Sequence, residues 1–171
     1  MSLFTKSALV VAALLGISYA LGQYKSQSIY TEINIDAPKE VVWAALTNTD
    51  EHAKWNPFIK EFKGEIKVGS KLDVTIQPPG GSAMRFRPVV LEATTNEELR
   101  WIGKLGFKGV FDGEHYFQLE EQADGSTLLR HGETFTGMLT DLLYFISLEE
   151  NATKGFEAMN LALKQRAEDN V

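Results

Sequence analysis

The apolar residues of this chain fall into three regimes. From Ala8 to Leu21 they run almost unbroken, interrupted by Gly16 and Ser18. From Ile29 to Thr136 they alternate with polar residues in short segments. From Met138 onward Leu142, Ile146, Glu149, Thr153, Phe156, Asn160 and Leu163 recur at spacings of three and four. The first regime is 14 residues long, shorter than the roughly 20 residues a spanning helix needs. It suits the apolar centre of a signal peptide, with Lys6 ahead of it and Ser18-Tyr19-Ala20 as a small-x-small cleavage pattern. An uncleaved anchor, lengthened by Leu3, Phe4 and Gly22, fits the same residues. Either reading predicts a chain exported across, or anchored in, a membrane, facing the cell envelope or periplasm if bacterial. Residues 1–22 are then leader or anchor, 23–28 a polar linker, and 29–170 the folded domain.

The second regime predicts strands. Ile29–Ile35 alternates as IYTEINI. Asp36 is a suitable N-cap, with Pro38 in the first turn of a helix carrying Val41, Val42, Ala45 and Leu46. A second short helix is expected over Asp50–Lys54, before Trp55-Asn56-Pro57. Six further strands follow: Phe62–Ile66, Lys71–Gln77, Met84–Ala93, Glu98–Leu105, Val110–Glu120 and Thr127–Thr136. Pro88 marks the third of these as an edge or a bulge. Ala123-Asp124-Gly125 is a hairpin signal. The third regime is a long amphipathic helix, bent near Ser147–Asn151. The prediction is an α+β domain. A curved, seven-stranded antiparallel sheet wraps around the C-terminal helix, and two short helices follow the first strand.

Composition narrows the chemistry. Hydrophobic residues make up 44% of the 171 and charged residues 23%, ordinary globular values. The chain has no cysteine, which excludes a disulfide framework, a thiolate metal site and a cysteine nucleophile. Its net charge is −6, and because Lys6 is the only charge in residues 1–22, the remainder carries −7. With its basic residues scattered, an acidic domain is a poor partner for nucleic acid.

Four strings resemble the START-like, helix-grip superfamily, whose bacterial members are described as polyketide cyclase/dehydrase-like or SRPBCC proteins. They are INIDAPKEVVWAALTN at Ile33–Asn48, HAKWNPFI at His52–Ile59, Leu99-Arg100-Trp101, and GFEAMNLALKQRAE at Gly155–Glu168. The resemblance implies a helix-grip fold with a cavity for hydrophobic ligands between sheet and long helix. The glycine-rich loop of plant-type members is missing, since that turn is only Val68-Gly69-Ser70. Nucleotide-related activities proposed for that loop therefore do not carry over.

Strand parity assigns the inner face. Phe111, Gly113, His115, Phe117 and Leu119 share one side of their strand, and Leu129, His131, Glu133 and Phe135 share one side of the next. Pairing the apolar faces about Asp124 sets Leu119 against Leu129, Phe117 against His131 and His115 against Glu133. His115, His131 and Glu133 then form a polar cluster on an aromatic face. It reads as a structural pair, as a polar handle for a ligand, or as acid–base groups. It is weak as a metal site. Trp55, Phe58, Trp101 and Phe156 complete the candidate cavity lining, with Trp43, Phe86 and Phe145 as further interior aromatics. Trp55-Asn56-Pro57-Phe58 is either a cavity mouth or a plug completing the core. His52 reads as surface. No nucleophile elbow is present, and neither a catalytic residue nor a cofactor is assigned.

The leading expectation is a binding module for a lipid or other hydrophobic small molecule, membrane-associated through its N-terminal segment. The first alternative is a polyketide cyclase or dehydratase using His115, His131 and Glu133. The second is a protein-interaction module of the co-chaperone type.

Overall fold

A computed structural model describes residues 3–22, 26–144 and 149–171. The first apolar regime is helix α1 (Leu3–Gly22). Leu9, Val10, Val11, Leu14, Leu15 and Ile17 on it are all exposed, so these residues add nothing to the core. Among the described residues no helix is long and apolar enough to cross a membrane.

Strand β1 (Ser26–Ile35) opens the domain. It starts three residues before the alternation becomes visible, because Ser26, Gln27 and Ser28 pair with Thr136, Phe135 and Thr134. Helices α2 (Lys39–Thr47) and α3 (His52–Trp55) follow. Asp36 does not cap α2. The capping position is Pro38, whose carbonyl receives the N–H groups of Val41 and Val42. The Asp36 N–H instead donates to the Glu168 carboxylate at 2.7 Å.

The remaining strands are β2 (Ile59–Lys63), β3 (Asp73–Ile76), β4 (Met84–Phe86), β5 (Val89–Thr94), β6 (Glu98–Lys104), β7 (Asp112–Glu121) and β8 (Thr127–Thr136). Among the described residues there are thus eight strands in two sheets, in the orders β1-β8-β7-β6-β5 and β2-β3-β4, not seven in one. The extra strand arises at Pro88, which has no N–H for the ladder and splits the predicted Met84–Ala93 segment. Its carbonyl still accepts the Leu72 N–H at 2.9 Å, and Gly69 and Ser70 bond Val90, so the two sheets join edge to edge. β2 lies earlier than its apolar residues suggest. The Asn56 side chain receives the N–H groups of Phe58 and Ile59, and Gly64 at φ 121° ends the strand.

Helical structure resumes with the single turn α4 (Thr140–Leu143) and then α5 (Glu149–Glu168). Of the bend predicted near Ser147–Asn151, residues 147–148 lie outside those described, as do Phe145 and Ile146, whereas 149–151 form the first turn of α5. α5 lies in the concave sheet against β1 and β8. It buries Phe156, Met159, Asn160, Leu163 and Ala167. These meet Ile29, Ile35, Leu99, Phe117 and Leu129 from the sheet and Val42 and Leu46 from α2 in one core.

Candidate functional site

The β7–β8 ladder has the register that strand parity requires: Leu119↔Leu129, Phe117↔His131, His115↔Glu133 and Gly113↔Phe135. Alternation sends these residues toward α5, so polar groups enter a mostly aromatic layer. The His115 ring stacks on Trp101 at 4.9 Å, and the His131 ring stacks on Phe156 at 4.0 Å. Phe117 packs against both imidazoles.

Hydrogen bonds assign the protons in this layer. Asn160 Nδ2 donates to Thr31 Oγ1 at 2.9 Å, so Asn160 Oδ1 is left to accept. It lies 2.7 Å from His131 Nδ1, which must carry its hydrogen there. His131 Nε2 then holds a lone pair and accepts from His115 Nε2–H at 2.8 Å. The Thr31 hydroxyl donates to the His131 carbonyl at 3.1 Å and closes the ring of contacts. His131 is thereby satisfied at both ring nitrogens and fully buried. Burial, and then the neighbouring His115, hold its pKa well below the usual histidine value, against the opposing Asn160 contact.

The other end of the network is looser. His115 Nδ1 faces Glu133 Oε2 at 3.4 Å, and the Glu133 side chain is 20% exposed. Because His115 has given its Nε2–H to His131, the Glu133 contact is attractive only when one further proton lies between the two. Gly113 makes the arrangement possible. A Cβ there would come within 2.3 Å of Glu133 Oε1 and 3.4 Å of the Phe135 ring. Phe111 and Phe135 stack at 5.3 Å beside this opening. Burial therefore changes along the β7–β8 axis, from the sealed Phe117 and His131 to the half-buried Glu133 and Phe111.

Phe58 is a plug in this structure. It is buried, meets Phe156 edge-on at 5.6 Å, and occupies the space a side chain at Gly155 would need. Trp55 lies apart from the histidine pair and packs on His52 at 4.8 Å. Trp43 and Phe86 are half-buried. His52 is not on the surface. It is fully buried, with Nε2–H donating to the Leu46 carbonyl at 2.7 Å and Nδ1 accepting from Asn56 Nδ2 at 3.1 Å. Burial lowers its pKa to about 4. A four-residue helix is too short to show an apolar stripe, so its inward face was not legible. Asn160 and Thr31 were missed as site residues because their partners are 29 and 100 residues away in sequence. The one available signal was a polar Asn160 on the apolar stripe of α5. Among the described residues no group of side chains is arranged to hold a metal ion.

The fold recurs among solved structures. Protein MLL2253 from Mesorhizobium loti is 20% identical, with a TM-score of 0.63 over 85% of this chain and 99% of that one. Protein TTHA0849 from Thermus thermophilus is 13% identical, with a TM-score of 0.66 over 84% and 99%. StfQ, a di-domain ARO/CYC protein from the steffimycin biosynthetic pathway, is 13% identical, with a TM-score of 0.60 over 84% of this chain. The chain spans half the length of StfQ. No protein of curated function matches at the level of sequence. A family profile described as polyketide cyclase / dehydrase and lipid transport matches residues 26–168. The profile covers every described strand and the whole of α5, and the chain belongs to that family.

Proposed function

We propose that the domain binds one hydrophobic small molecule or lipid between the sheet and α5, with a polar head at the His115–Glu133 pair. The observation that carries this reading is the asymmetry of the network. His131, Asn160 and Thr31 saturate one another, whereas among the described residues the Glu133 carboxylate has one polar partner, His115. The saturated part is a structural lock. The half-exposed end has hydrogen-bonding capacity left for a ligand hydroxyl or amine, flanked by the apolar Phe111–Phe135 stack. The family description, which includes lipid transport, supports an apolar ligand. The aromatic rings fill the inner face, so occupancy requires the rings near Phe111 and Phe135 to part. Apolar α1 is proposed as a leader or anchor that places the domain at a membrane of the cell envelope.

A cyclase or dehydratase reading is favoured by one feature. His115 contacts a carboxylate on one nitrogen and an imidazole on the other, the arrangement of a ring that accepts and returns a proton. In that reading His115 and Glu133 are the acid–base groups, and sealed His131 positions His115. Native mass spectrometry of the full chain, before and after delipidation, tests the binding reading. One apolar adduct per chain, replaced stoichiometrically by an apolar fluorescent probe, is the expected result. A delipidated chain that takes up no probe would overturn it.

A further inference from the structure

The end of the domain nearest Phe111 carries a second apolar feature that the ligand site does not use. The β6–β7 loop exposes Leu105 and Phe107, at 51% and 67%, and α4 exposes Leu142 at 58%. These residues belong to one surface. The Leu105 N–H bonds the Phe111 carbonyl, and the Val110 N–H bonds the Phe107 carbonyl. The turn leading into α4 is stitched to the same loop, Met138 N–H to Gly109 and Leu139 N–H to Val110. Lys104 and Lys108 flank Phe107 and are exposed.

What covers this surface is indicated by α1. Its apolar residues face outward in successive positions from Val10 to Ile17, so no single protein face can cover them; a lipid phase can. The Tyr19 hydroxyl of α1 donates to the Lys108 carbonyl at 3.1 Å, which ties that helix to the β6–β7 loop. Tyrosine belongs at the headgroup level of a bilayer, where lysines meet anionic lipid and neighbouring aromatic side chains enter the acyl boundary.

We infer that Leu105, Phe107 and Leu142, with Lys104 and Lys108, form a membrane-docking face that seats the Phe111–Glu133 end of the domain on an anionic bilayer. The inference rests on the membrane reading of α1 for its orientation. It deepens the proposed function by giving an apolar ligand a route from the bilayer that avoids water.

The chain has no cysteine, so single labelling sites can be placed at will. The test uses full-length Phe107→Cys, Leu142→Cys, Leu14→Cys and Leu161→Cys variants, each carrying an environment-sensitive fluorophore. They are mixed with vesicles of phosphatidylcholine alone or with phosphatidylglycerol added. Leu161 is 62% exposed on α5 and serves as the aqueous control. Probes at 107 and 142 are expected to shift to the blue and lose quenching by aqueous iodide, more strongly on the anionic vesicles, while 161 stays unchanged. If the probe at 14 enters lipid but 107 and 142 remain aqueous, the docking face is wrong and the reading of α1 stands. If 107 and 142 enter lipid while 14 does not, the face stands and α1 is misread. A blue shift at 107 that grows with protein concentration in the absence of vesicles identifies a second copy as the occupant and overturns the proposal.

Discussion

The Nε2 atoms of His115 and His131 face each other at 2.8 Å, and the hydrogen between them belongs to His115. That assignment follows from Asn160, which holds the other hydrogen of the His131 ring through its side-chain oxygen. Two buried imidazoles side by side are costly unless each polar atom is matched. Here the matching crosses three elements, β1, β8 and α5, through Thr31, His131 and Asn160.

Asn160→Leu should therefore cost stability out of proportion to its volume. It strands the His131 Nδ1–H in the core and removes the donor to Thr31 Oγ1, whose own hydrogen stays on the His131 carbonyl, a loss of roughly 1–3 kcal/mol. Urea denaturation of Asn160→Leu, His131→Phe and the double variant should give strongly non-additive losses, since both changes break the same contacts. Additive losses would show that the two side chains act independently.

Stability should fall as the solution is acidified. His52 has its pKa lowered to about 4 in the fold against an ordinary value of 6.5. Between those values the unfolded chain binds more protons than the native one, so stability is full above pH 6.5 and declines toward pH 4. The His52 contribution approaches about 3 kcal/mol below pH 4. His131, also lowered, acts with the same sign. Denaturation midpoints at pH 7.5 and 5.0 measure the effect. His52→Gln keeps a donor for the Leu46 carbonyl and removes the titration, so its midpoints should differ less.

Much of the site could be read from the order of residues, for a definite reason. A period of two along β7 and β8, with a hairpin turn between them, leaves a single register that buries Phe117, Leu119 and Leu129 together, and that register sets His115 opposite Glu133. The helix-grip architecture was legible in the same way, from short alternating segments followed by a long apolar stripe. Periodicity carries no information about contacts between distant elements, so Thr31 and Asn160 stayed hidden. Nor does it register hydrogen-bond supply, which is why Pro88 divided a strand. Asp36 satisfied every local rule for a helix cap and was recruited by Glu168 from the far end of the chain.

Phe58 and Gly155 should behave as a matched pair. A Cβ at 155 would lie 2.4 Å from the Phe58 ring, so Gly155→Ala overpacks the core and should destabilise by roughly 1–3 kcal/mol. Phe58→Ala leaves a cavity worth roughly 3–5 kcal/mol. In the double variant the added methyl enters that cavity, and thermal melts should show a smaller loss than the sum of the two.

Gly113→Ala should affect ligand recognition more than folding. The added methyl meets the free end of the Glu133 side chain, which can swing toward solvent, and so moves the carboxylate off His115. Affinity for a ligand with a hydroxyl head should drop, while affinity for an apolar probe without one should be nearly unchanged. Equal losses for both ligands would remove Glu133 from head-group recognition.

The proposed function puts an apolar ligand between sheet and α5 with its head at His115 and Glu133. The most direct measurement is an NMR titration of the delipidated, isotope-labelled full chain with a long-chain alcohol, followed through the imidazole nitrogens, the side-chain carboxyl carbons and the backbone amides. Saturable shifts of the His115 ring and the Glu133 carboxylate are expected, with the His131 ring nearly unmoved because both its nitrogens are already engaged. Saturable shifts confined to the outer surface of the sheet, or none on the inner face, would contradict it.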